Sequence, residues 1–543
     1  MGTDHADVII IGTGMGGATF GYALAEKGLQ VLFLEKGASH LAHDAILGDY
    51  PEEYFHPNRD RYREILIRAG RYADHIEDIS SGRPRRFRPF IGCGTGGSSA
   101  LYGAALIRFR PEDFAPRQYF ANTDGSSLPE RWPIGYDDLA SYYAAAEAIY
   151  RVENGTDART GGYRPLANPT SEITAQITRS LEATGLHPLR APTASGSDCS
   201  GCMGFRCPSD CKRGSAQVCL MPALERHRAK LLDRCIVLKL EATRDRVTAV
   251  HCLHHGANLT LAAPLVVLAA GGLETPRILL NSASDRWPHG LANDSGLVGK
   301  NLMRHYIDLY LLHAGSHHTD AEVPKREAFV CDDFYVADGQ KFGILHSFSS
   351  LPPDYVMLAS LAEQFEAVAG KIGMGLFRLT RPIAARAVKR IDADLAIAAI
   401  MEDLPMEENC VSVQSSLHPA GQLRIRYHIN AADRARIRIF RYKLMQAFKP
   451  LRVTLFKQAE NNEFLAHVCG TCRFGDDPDT SVLDRHNRAH GLSNLYVVDA
   501  SFFPSSGGAH PGLTIAANAL RVADRIAAGN AHSMDRSKTS TLP

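Results

Sequence analysis

The sequence predicts an α/β protein in which a parallel-sheet nucleotide-binding domain is joined to an α+β domain with an antiparallel sheet. Three observations predict it. A βαβ unit with a glycine signature opens the chain between Asp7 and Glu35. The texture then changes over 304–463, where strand-like runs flank basic helical segments. The style of the first part returns over 464–528, with a buried strand at Asn494–Asp499 and a helix at Leu513–Ala527.

The opening unit is the most specific element. The apolar run Val8–Ile11 meets Gly12-Thr-Gly14-Met-Gly16-Gly17, and a helix-like stretch follows over 18–27. Gly12, Gly14 and Gly17 form G-x-G-x-x-G, whose glycines admit a pyrophosphate to the backbone and whose helix start favours its negative charge. A second apolar run, Val31–Leu34, ends in Glu35, placed to accept a hydrogen bond from a ribose hydroxyl. Strand, helix and acidic residue together specify a dinucleotide, but leave FAD and NAD both open.

Gly92–Gly103 packs Gly94, Gly96, Gly97, Ser98, Ser99 and Tyr102 into a segment suited to backbone pressed against a ligand. A turn and an amphipathic helix are expected over 132–148, and 116–198 reads as a lid or linker. Alternating strands over 235–271 end in Leu265–Leu268, with a helix at Thr275–Asn281. Further strands are expected at Cys410–Val413 and Leu423–Ile429. The polar tail 531–543 reads as disordered.

Bulk properties exclude several classes. The 543 residues are 45% hydrophobic and 22% charged with a net charge of +1, which suits a globular protein and gives no basic field for nucleic acid. No apolar run reaches membrane-spanning length, so no integral membrane segment is expected. The first residues lack the positive start and long apolar core of a secretory signal, and a cytoplasmic location is the expectation.

Several motifs together resemble the glucose–methanol–choline (GMC) oxidoreductase family. They are the amino-terminal glycine signature with Glu35, Gly96-Gly97-Ser98-Ser99, and Ala270-Gly271-Gly272-Leu-Glu274-Thr275-Pro276-Arg277. Val298-Gly299-Lys-Asn301-Leu-Met follows, then His467-Val-Cys-Gly470-Thr471, Val497-Val-Asp499-Ala500-Ser, and Gly507-Gly508-Ala-His510-Pro511-Gly-Leu-Thr514. The resemblance runs nearly end to end. It implies an FAD-binding Rossmann-like domain of GMC type, formed by 1–303 with 464–530, and a substrate domain over 304–463. It implies FAD, oxidation of a small-molecule alcohol to an aldehyde or ketone, and an electron acceptor that is oxygen, a quinone or a cytochrome. A dehydrogenase is preferred to an oxidase. Other readings are an NAD-linked reductase, a dehydrogenase subunit carrying an iron–sulfur cluster, and a flavin-binding electron-transfer subunit without catalysis.

By the same resemblance His467 is the general base and His510 its partner on the alcohol oxygen, or the reverse. Imidazole suits the task because its ordinary pKa lies near neutrality. The resemblance gives cofactor contacts to Gly12, Gly14, Gly17, Glu35, Gly96, Gly97, Ser98, Tyr102, Gly271, Asp499, Ala500, Pro511 and Thr514. Leu101 stands where some relatives carry a flavin-linked His, so a non-covalent FAD is expected. Tyr102 stands where Asn is common.

One cysteine cluster breaks an otherwise scattered distribution: Cys199, Cys202, Cys207 and Cys211. Its spacing differs from that of ferredoxin ligands, so free thiols and no metal are expected, with iron–sulfur ligation the alternative. Cys469 and Cys472 read as apolar packing residues. The basic stretch 371–390, interrupted by Pro382, reads as a solvated helix face, with membrane contact the alternative.

Overall fold

The computed structural model describes residues 6–42, 59–155, 162–167, 169, 171–196, 199, 202, 204–209, 211–313, 328–348, 365, 369, 372–373, 375–387, 395–416, 418–463 and 465–539. Apolar runs with little polar interruption make strands that can be buried on both faces, which is how a parallel sheet is built. Five such strands lie side by side in the order Leu495–Val497, Leu265–Leu268, Val8–Ile11, Val31–Leu34 and Lys230–Leu232, all parallel. The first helix, Met15–Glu26, packs against the final helix, Gly512–Thr539, which also packs on Asp137–Ile149.

The second sheet is antiparallel. Its six strands run in the order Arg452–Phe456, Tyr306–His313, Leu395–Met401, Gly343–Ser347, Phe329–Cys331 and Leu189–Arg190. It has its own apolar core, including Tyr310, Leu345, Ile397 and Phe448. A smaller sheet pairs Cys410–Gln414 and Gln422–Arg426 with Ile76–Asp78 and Arg85–Phe87.

Three expectations need correction. The boundary at 303/304 is crossed, because Leu189–Arg190, Ile76–Asp78 and Arg85–Phe87 share sheets with strands from 304–463. The helix Glu172–Glu182 likewise buries Ile173, Ile177 and Leu181 in the second core. Strands of two or three residues have no periodicity to read, and their partners lie far along the chain. The span 116–198 is not simply a lid or linker: the helix Asp137–Ile149 buries Leu139, Tyr143 and Ala146, and the Tyr143 hydroxyl is 2.8 Å from Thr514 Oγ1. The final helix continues to Thr539, past the point where polar composition predicts disorder, and no proline follows Pro511 until Pro543.

The loops after the first two strands are held by one side chain. Glu35 is buried. Its Oε2 accepts from Thr13 N at 3.1 Å and Thr13 Oγ1 at 2.6 Å; its Oε1 accepts from Gly37 N at 2.9 Å and Gly94 N at 3.1 Å. Desolvation raises its pKa, against the pull of these four bonds. Glu35 therefore ties the first glycine loop to the 92–103 segment. Glu35→Ala leaves several buried donors unpaired, at roughly 1–3 kcal/mol each. Chemical denaturation is expected to show a loss of at least about 3 kcal/mol, whether or not FAD is present; unchanged stability would remove the bracing role.

Candidate active site

Two glycine loops and a helix start form a cradle. A Cβ on Gly12 would lie 2.3 Å from the Ala269 carbonyl oxygen, and one on Gly17 2.1 Å from that of Gly12, so no side chain fits at either. At Gly14 the same test meets nothing within 4 Å. Gly14 is also the N-cap of Met15–Glu26; it has no capping side chain, and the first turn has no acidic residue. Free amides and a positive dipole end thus meet open space, the environment a pyrophosphate needs. Gly97 closes on this point: a Cβ there would stand 3.1 Å from Gly14 Cα.

The other expected cofactor residues take varied places. Ser98 is exposed and its Oγ accepts from Gly92 N at 3.1 Å, while the buried Ser99 donates to Gly96 O at 2.7 Å. Tyr102 donates to Arg213 O at 2.7 Å, tying its loop to the cysteine segment. Asp499 accepts from Gly271 N and Ser501 N, each at 2.9 Å, and from Thr275 Oγ1. Like Glu35, it orders backbone. Ala500 O accepts from Gly470 N at 3.2 Å, and Pro511 O accepts from Ile515 N at 3.0 Å, so Pro511 caps the final helix and does not begin it. The residues present fit a bound dinucleotide.

His467 and His510 lie together, joined by two histidines that sequence reasoning missed. His305 Nε2 bonds Gly507 O at 2.8 Å, and its Nδ1 is 3.0 Å from His467 Nδ1. His467 Nε2 is 3.5 Å from His510 Nδ1, and His510 Nε2 is 3.1 Å from His346 Nδ1. Burial pulls His467 and His510 well below the ordinary histidine pKa, helped by the neighbouring imidazoles, and burial alone lowers His346 to about 4. Since a carbonyl can only accept, His305 Nε2 carries a hydrogen. In the tautomer in which His305 Nδ1 accepts from His467 Nδ1, His467 Nε2 is left with a lone pair facing His510.

A buried carboxylate set holds the loop that carries His510. Asp113 Oδ1 accepts from Gly508 N at 3.0 Å and Glu402 Oε1 from Gly507 N at 3.1 Å. Lys341, fully buried, forms ion pairs with both Asp113 and Glu402. Burial lowers the Lys341 pKa, the two carboxylates raise it, and the carboxylates prevail. Asp403 accepts from Ser506 Oγ at 2.7 Å, His305 N at 3.2 Å and Tyr427 OH at 2.6 Å. Gly507, at φ 75°, lies so close to Phe109 that a Cβ would stand 2.4 Å from its ring. No motif marks Asp113, Lys341 or His346; the acidic pair Glu402-Asp403 directly after an apolar strand was a usable signal.

The four cysteines of the segment lie close together. Cys207 Sγ and Cys211 Sγ are 3.5 Å apart, Cys202 bonds both Cys199 and Cys207, and Cys211 bonds Cys199. The bond from Cys202 holds the Cys207 thiol below its ordinary pKa. Among the described residues no set of three His, Cys, Asp or Glu is placed to hold a metal ion. Cys469 and Cys472 are fully buried, and desolvation keeps both protonated.

Family models described as GMC oxidoreductase match residues 6–307 and 405–519. Paromamine 6'-oxidase of Streptomyces fradiae is 28% identical over 96% of this chain and 91% of its own length. The 2-methyl-1,2-propanediol dehydrogenase of Mycolicibacterium austroafricanum is 27% identical over 96% and 95%. The crystal structure of pyridoxine 4-oxidase from Mesorbium loti superposes with a TM-score of 0.63 at 20% identity, covering 96% of this chain and 99% of that one.

Removing Lys341 leaves two buried carboxylates without their shared ion-pair partner, a change worth about 3–5 kcal/mol. Lys341→Met is expected to lose that much in chemical denaturation. A loss under about 1 kcal/mol, the scale of an exposed pair, would show that the ion pairs do not hold the loop.

Proposed function

The chain belongs to the GMC oxidoreductase family, enzymes that act on alcohol groups with FAD as cofactor, and on that premise we propose that His467 is the base that deprotonates the alcohol. The observation that carries this is the His305–His467–His510 arrangement, which presents the His467 Nε2 lone pair beside a second imidazole. FAD, when bound, supplies the acceptor for the hydride that leaves the carbinol carbon. Gly12, Gly14 and Gly17 would hold its pyrophosphate, and Gly96 and Gly97 would cover it. We take it to be held without a covalent bond, because Leu101 offers no nucleophile.

His467 Nε2 and His510 Nδ1 are close enough for one hydroxyl oxygen to bond both. With its hydrogen on Nδ1, His510 donates to that oxygen, and His467 accepts the hydroxyl proton at Nε2. Burial keeps His467 neutral, so its lone pair is free at neutral pH. His305 is a positioning residue: its Nδ1 acceptor keeps the His467 hydrogen on Nδ1. The substrate is a small-molecule alcohol, supported by what the names of the relatives describe.

Loss of a general base costs about two to four powers of ten in rate. Anaerobic stopped-flow reduction of holoenzyme should show that loss in His467→Ala with FAD retained, and a milder one in His510→Asn. His305→Asn keeps an acceptor for His467 and should stay near wild type, whereas His305→Ala should slow reduction more than it raises KM. Near wild-type reduction in His467→Ala would sink the assignment. Reoxidation by oxygen and by a soluble quinone then sorts oxidase from dehydrogenase, and the quinone is expected to be faster. A second expectation concerns attachment. Acid precipitation should release all the flavin colour into the supernatant; colour retained by the pellet would mean a covalent link.

A further inference from the structure

The connection from Gly343–Ser347 to Leu395–Met401 leaves the antiparallel sheet one residue after His346. Within it, 372–373 and 375–387 are helical, and the helix passes through Pro382 without ending. Phe377 marks its inner side: this ring is buried, with its centroid 5.6 Å from that of Phe365. The opposite side carries Ile372, Leu376, Leu379 and Ile383, exposed at 82%, 52%, 80% and 72%. Their spacing of i, i+4, i+7 and i+11 puts all four within about 60° of one another around the helix. Three are the most exposed large apolar side chains among the described residues. Single exposed leucines need no explanation, but a full stripe along one helix does.

The charge of the segment points to what covers the stripe. Arg378, Arg381 and Arg386 are exposed on the same helix, and from 371 to 390 the sequence has six basic residues and no acidic one. We propose that this helix docks the enzyme onto an anionic lipid bilayer, lying in the interface with the apolar stripe immersed and the arginines at the phosphate level. An apolar stripe with a basic remainder is the pattern of an interfacial helix. A second copy fits less well, because a symmetric contact through this face would oppose like charges. Among the described residues no helix is long and apolar enough to cross a membrane, so contact through this helix would be peripheral.

Flotation of full-length holoenzyme with vesicles tests it. Vesicles of three parts phosphatidylcholine to one part phosphatidylglycerol should carry the protein, and pure phosphatidylcholine should carry at least about tenfold less, with binding falling as salt rises. The triple variant Ile372→Ser, Leu379→Ser, Ile383→Ser should lose at least about tenfold in binding, with its flavin spectrum and melting temperature unchanged. Arg378→Gln with Arg386→Gln should reduce the preference for phosphatidylglycerol. Wild-type protein that stays off the anionic vesicles would overturn the proposal, as would a triple variant that binds like wild type. A concentration-dependent dimer in sedimentation that the triple variant abolishes, without vesicle binding, would assign the face to a second copy.

Discussion

The candidate site depends on a charge buried away from solvent. Lys341 sits between Asp113 and Glu402, and those carboxylates bind the amides of Gly508 and Gly507. Without the lysine the carboxylates would repel each other in a low-dielectric interior. Without the carboxylates, two amides of a tight glycine turn would have no acceptor. The turn carries His510 at its end, and its Gly507 carbonyl accepts from His305. The direction of hydrogen bonding through the imidazoles therefore begins at a peptide group that the ion pairs hold in place.

The parts brought together here come from distant places in the chain. Asp113 lies in the nucleotide-binding half, Lys341, His346 and Glu402 in the antiparallel sheet region, and His510 before the last helix. His346 faces His510 across the two halves at 3.1 Å. The candidate site is thus a seam, and its geometry depends on both cores.

The sequence made the cradle legible because its requirements are local. A glycine turn, a helix start and an acidic residue after the second strand each leave a mark within a few residues, and the parallel strands near them were readable as apolar runs. His467 and His510 could be singled out among 23 histidines because short motifs surround them. His346 could not: it is one polar residue in the buried strand Gly343–Ser347, and its partner lies 164 positions away. His305 follows Asn301-Leu-Met-Arg and was within reach of the Val298–Met303 motif. Strands such as Leu189–Arg190 were illegible for the same reason as His346: what fixes them is a partner remote in sequence.

Glu35, Asp499, Asp113, Glu402 and Asp403 share one job, and its cause lies in the ligand the protein must hold. Loops that approach a cofactor closely give up side chains and regular hydrogen-bond ladders, which leaves amides without acceptors. Water would satisfy them at a surface, but these loops are buried. A carboxylate is the compact answer, since two oxygens can take about four bonds, and Glu35 takes four from three separate positions. The cost is desolvation, visible in the raised pKa of Glu35, Asp499 and Glu402. The same residue type at the end of the second strand that marks a dinucleotide site from sequence is therefore, in the folded chain, also a brace. Loss of cofactor on its substitution would follow from disorder in the loops as readily as from a missing bond to ribose, which is why stability must be measured without FAD as well as with it.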